Sequence, residues 1–181
     1  EASADGMVVH VGMRPLELVD TPGHARHHHC VWDLQTAGWF TGDTFGLSYR
    51  EFDDAQAGPW ILPTTTPVQF EPEALKASIQ RLLARQPRRI YLTHYGAIGD
   101  VQRLGHALLE QIDDMVAVGR RAQGSGAQRH AWLKDELGRH LVDGARRHGS
   151  SRPTDEILAM LAMDIELNAQ GLAIWLDREA R

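Results

Sequence analysis

Residues 16–45, LELVDTPGHARHHHCVWDLQTAGWFTGDTF, constrain this chain most, because they put a histidine and a carboxylate where strands stop. Residues 16–20 and 28–32 read as strands flanking the turn Thr21-Pro22-Gly23-His24, and the short apolar run Trp39-Phe40 ends at Thr41-Gly42-Asp43-Thr44. Residues 89–96, RIYLTHYG, form another buried-looking strand ending in histidine and glycine. Each motif alone is ordinary turn chemistry. Together, His24, Asp43 and His94 at the ends of strands are hard to obtain by chance. Imidazole nitrogen and carboxylate oxygen suit zinc, iron or manganese, and strand ends hold side chains on a rigid scaffold. The reading is a metal site.

TPGH at 21–24, FTGDT at 40–44 and LTHYG at 92–96 occur in that order, with a helix-sized insert before the last. The set resembles the second half of the metallo-β-lactamase fold family of hydrolases, a group that includes glyoxalase II, and the resemblance covers roughly residues 8–96. It implies an α/β chain: the C-terminal half of an αββα sandwich over residues 1–99, then an α-helical appendage over 100–181. It also implies that His24 binds a first metal, that Asp43 bridges two metals at the catalytic centre, and that His94 binds the second. Two zinc ions are the expected cofactors, with iron or manganese as alternatives.

The family's HxHxDH turn, which supplies the remaining ligands, does not occur in these residues; His27, His28 and His29 are instead a run at a predicted strand. The first residue is Glu1, and residues 7–12 already read as mid-domain strand and turn. The expectation is that the N-terminal half of the domain is missing and that this chain by itself is inactive.

An apolar content of 43% over 181 residues suffices for an ordinary domain with a core. A net charge of -5, with arginine pairs scattered at predicted helix ends, argues against nucleic-acid and anionic-membrane partners. No apolar run approaches the ~18 residues that span a bilayer. The one cysteine, Cys30, allows no internal disulfide and reads as a small core residue. A cytoplasmic location and a small-molecule substrate are expected.

After Asp43 the pattern is irregular over residues 46–69, a loop long enough to suggest function. From Pro72, Leu75, Ile79, Leu82 and Leu83 recur at helical spacing until Pro87. Beyond Gly99 three helices are predicted. Val101, Leu104, Leu108, Ile112 and Met115 mark the first, Trp132, Leu133, Leu137 and Leu141 the second, and Ile157, Leu158, Leu161 and Ile165 the third. Their apolar stripes need cover, either as a cap against the 46–69 loop or as a dimer surface.

In a strand, His27 and His29 would share one face and His28 the other. His28, four residues after His24, is assigned a supporting place beside the metal ligands, and Tyr49, Thr65 and Tyr95 are candidate substrate-binding hydroxyls. The leading reading is a dinuclear metallohydrolase acting on a small thioester, ester, lactone or phosphoester. The alternatives are a mononuclear iron enzyme like the sulfur dioxygenases of the same fold and a non-catalytic regulatory relative.

Overall fold

A computed structural model describes residues 3–180. Six strands form one sheet in sequence order: β1 Val8–Val11, β2 Arg14–Asp20, β3 His29–Asp33, β4 Gly38–Phe40, β5 Arg89–Leu92 and β6 Gly96–Ile98. All neighbours are antiparallel except β4 and β5, which run parallel. Parallel neighbours need a crossover. The predicted helix supplies it as α1, Pro72–Ala84, with proline at its first position and Leu75, Ile79, Leu82 and Leu83 all buried.

The register places Val19 beside Cys30, Trp32 beside Trp39, Trp39 beside Ile90 and Ile90 beside Ile98, so one sheet face is continuously apolar and buried. Trp39 is tied to the helix layer by its Nε1–H, which donates to the Leu82 carbonyl at 3.2 Å. The other face carries Leu18, Val31, Phe40 and Tyr91 in register, half-buried or exposed, with Phe40 44% exposed and stacked on Tyr91. That face is open among the described residues.

Three helices are predicted after Gly99, and four form: α2 Val101–Arg121, α3 Gly126–Arg147, α4 Thr154–Met160 and α5 Ala162–Glu179. The predicted third helix is two, bent by 65° around Leu161, which is fully buried. Nothing in the run EILAMLAMDIEL announces a break. α2 lies on α1, where Gly105 lets Leu83 approach so closely that a Cβ there would stand 2.6 Å from Leu83 Cδ2. One apolar cluster then runs from the sheet through α1 and α2 to Leu133, Leu137, Leu172 and Trp175. Among the described residues no single helix is long and apolar enough to cross a membrane.

The histidine run does not alternate as a strand would. His27 and His28 belong to the turn before β3, and only His29 enters the strand. The hairpin register pairs Asp20 with His29, so the connection bulges outward and carries residues 21–28 toward the 41–44 turn.

A candidate metal centre at the sheet edge

Three loops meet where the sheet ends: residues 21–28 after β2, 41–46 after β4 and 93–95 after β5. The first is shaped by Gly23, whose φ of +128° suits glycine and whose backbone lies against the first turn of α1. Its carbonyl accepts from the Glu71 N–H at 2.8 Å, which anchors the turn to the helix start. The residue that follows, His24, is thereby aimed across the sheet edge.

His24, Asp43 and His94 converge. His24 Nε2 lies 3.5 Å from Asp43 Oδ2, and His94 Nε2 lies 3.4 Å from Asp43 Oδ1. One carboxylate therefore faces a different imidazole with each oxygen. His24 is 7% exposed, and its Nδ1 lies 3.1 Å from the Thr64 carbonyl. A carbonyl only accepts, so Nδ1 carries the proton and Nε2 presents its lone pair to Asp43 when the ring is neutral. That is the arrangement of a metal-binding histidine, oriented through its second nitrogen.

The spacing can be tested against a metal ion. Two ligands bound at ~2.0–2.1 Å with a tetrahedral angle stand about 3.3 Å apart. Both imidazole–carboxylate distances match that separation. Asp43 Oδ1 is moreover a buried acceptor without a hydrogen-bond partner among the described residues, a state that costs free energy unless a cation relieves it. The residues fit two divalent ions that share Asp43. Each position then has one nitrogen and one oxygen, and no three such donors surround a single point among the described residues.

His28 does a different job. Its Nε2 accepts from the Asp43 backbone N–H at 3.2 Å, while its Nδ1 lies 3.1 Å from Thr21 Oγ1 and 3.0 Å from Thr44 Oγ1. Both nitrogens are committed, so His28 ties the 21–28 loop to the 41–46 loop and steadies Asp43. Burial, followed by the neighbouring His24, pushes its pKa down from 6.5 to about 4. Gly42, at φ +50°, is required here, because a Cβ would stand 2.4 Å from His28 Nε2.

His28→Phe should leave the Asp43 N–H unpaired, cost about 1–3 kcal/mol of stability and weaken metal binding by about 10–100-fold. Urea unfolding and metal titration measure the two effects. The sign of the pH dependence follows from the depressed pKa: the stabilisation is complete above about 6.5 and is lost as pH falls toward about 4. The variant should lack that part of the acid sensitivity; an unchanged pH profile would count against a neutral, hydrogen-bonded His28.

The candidate hydroxyls divide. Tyr49 and Tyr95 border the centre and pack ring on ring at 4.3 Å, with Tyr95 in left-handed backbone at φ 72°. Thr65 also borders it, but its hydroxyl donates to the Leu167 carbonyl at 3.1 Å and its N–H to Asn168 Oδ1 at 2.9 Å. Thr65 holds α5 against the loop. Asn168 completes this clamp by donating to the Pro63 carbonyl at 3.1 Å, and the carbonyl that orients His24 belongs to the same strip of loop.

α5 reaches the centre through Asp164, a residue outside the three motifs. Tyr49 donates its hydroxyl to Asp164 Oδ2 at 2.7 Å. Burial raises the Asp164 pKa, opposed by that hydrogen bond, and burial with the neighbouring hydroxyl and carboxylate moves the Tyr49 phenol far above its usual range. An acidic residue in the first turn of a helix is so common that nothing in the local sequence marks it.

No protein-family profile matches the chain, and no curated protein matches it. Solved structures do. A metallo-β-lactamase superfamily protein from Sulfolobus tokodaii matches with a TM-score of 0.52 and 22% identity, over 92% of this chain and 49% of that one. A metallo-β-lactamase family protein from Thermus thermophilus matches with a TM-score of 0.57 and 18% identity, over 98% of this chain and 49% of that one. The chain thus has the α/β fold of these proteins and spans about half their length.

Proposed function

We propose that this chain supplies one half of a dinuclear metallohydrolase centre, in which Asp43 bridges two divalent ions, His24 holds one and His94 the other. The observation that carries the reading is the carboxylate of Asp43 set between two imidazole nitrogens at ligand-to-ligand spacing, 3.5 and 3.4 Å. Zinc is the favoured metal, given nitrogen and oxygen donors at tetrahedral separation. The remaining ligands would come from the polypeptide that fills the other half of the solved structures. The open sheet face with Phe40 and Tyr91 is where such a half could pack.

When bound, the two ions would supply a hydroxide at neutral pH and polarise a carbonyl or phosphoryl oxygen. The chain's own groups do the rest. Thr64 fixes the His24 tautomer, and His28 fixes the loop of Asp43. Tyr95, half-exposed beside His94, can donate to a substrate oxygen. Leu47, Pro67 and Leu167 give the cleft an apolar wall. The substrate class is a small ester, thioester, lactone or phosphoester.

Elemental analysis tests the reading. A longer protein that adds the other half should bind about two metal ions per chain, whereas the 181-residue chain should hold them weakly, because each position has only part of its ligand set. Equal metal content in the two would overturn it. A single iron per chain would support the mononuclear alternative instead.

A further inference from the structure

We propose that the part of the substrate lying over the first turn of α5 is uncharged, and that Asp164 is the residue that selects it. The inference rests on the metallohydrolase reading and narrows its substrate class. The cleft beside His24, Asp43 and His94 has a volume of about 240 Å³, and none of its described lining residues is a lysine or arginine. A substrate carboxylate or phosphate is ordinarily held by a guanidinium, an ammonium or the free N–H groups of a helix start. Among the described residues the cleft offers no lysine or arginine for such a group.

It does offer a helix start. α5 is 18 residues long and begins at the cleft, where its positive end would favour an anion. That place is already taken. Asp164 sits in the first turn, 7% exposed, with its carboxylate fixed by the hydroxyl of Tyr49 at 2.7 Å. A second negative group brought there would meet a like charge in a site sheltered from solvent, whereas the apolar Leu167 and the exposed Met163 beside it suit an aliphatic chain. Bound metals would be held by His24, Asp43 and His94, where they would polarise the scissile bond. Substrates that end in a short aliphatic chain are therefore favoured over those that end in a carboxylate.

The test uses the complete zinc-loaded protein at about pH 8, with Asp164→Asn as the variant, since an amide oxygen can still accept from Tyr49. Turnover is compared on p-nitrophenyl butyrate and p-nitrophenyl hemisuccinate, which differ by a terminal carboxylate. Binding is compared by NMR titration with butyramide and succinamate, so that selectivity is read even without turnover. The wild type should prefer the neutral member of each pair by about tenfold or more, and Asp164→Asn should reduce this to within about threefold. Equal handling of both members, a preference unchanged in the variant, or binding of neither amide would overturn the inference. Absent turnover with the binding preference intact would sink the hydrolase reading and uphold the role of Asp164.

Discussion

Asp43→Asn in the complete metal-loaded protein is expected to lower kcat/KM by on the order of 10³-fold or more while leaving the fold intact. An amide cannot bring the negative charge that allows two cations to sit close together, so one metal should be lost. The fold should survive because the carboxylate does little for it. Asp43 Oδ1 has no hydrogen-bond partner among the described residues, and the contacts that shape the loop are made by the backbone, the N–H to His28 Nε2 and the carbonyl to the Gly46 N–H at 3.0 Å. Elemental analysis and a thermal melt on the same sample read both halves of the expectation. Two metals retained with normal turnover would remove Asp43 from the bridging position. A collapsed melt would show that the carboxylate is structural.

Gly23→Ala is expected to be the most damaging small substitution near the site, at about 3 kcal/mol or more. The added Cβ would stand 2.1 Å from the backbone nitrogen of Leu75 and 2.3 Å from its Cα, and the backbone at φ +128° is one that alanine rarely adopts. Neither neighbour is a flexible side-chain end. The start of α1 would have to retreat, which breaks the Glu71 N–H to Gly23 carbonyl bond and swings His24 away from Asp43. Gly12→Ala provides the comparison, since Gly12 also has positive φ, at 62°, but nothing lies within 4 Å of its added Cβ. It should cost only about 1 kcal/mol. Urea midpoints for the two variants decide the matter. If they fall together, backbone strain alone acts at Gly23 and the contact with α1 does not. Metal affinity should drop with Gly23→Ala and hold with Gly12→Ala.

The α/β pattern, the motif residues and the helices after β4 were legible in the sequence because each rests on local rules. Leu75, Ile79, Leu82 and Leu83 share a face by helical period, Trp39 and Trp32 are buried as strand residues, and all of them lie in the core. The motifs TPGH, FTGDT and LTHYG place His24, Asp43 and His94 at strand ends, and the structure brings these three side chains together. What could not be read was everything fixed by partners far along the chain. His27 and His28 leave the strand because the loop must carry His28 under Asp43, fifteen residues away. The predicted third helix bends by 65° around Leu161, with no proline or glycine to signal it. The role of Thr65 as an anchor depends on Leu167 and Asn168, and that of Asp164 on Tyr49, at separations of 102, 103 and 115 residues. Periodicity and turn chemistry are short-range and survive in any fragment of sequence. Which hydroxyl faces a carboxylate across a hundred residues is settled only when the helices close over the loop, because packing the shared core determines where each backbone stands.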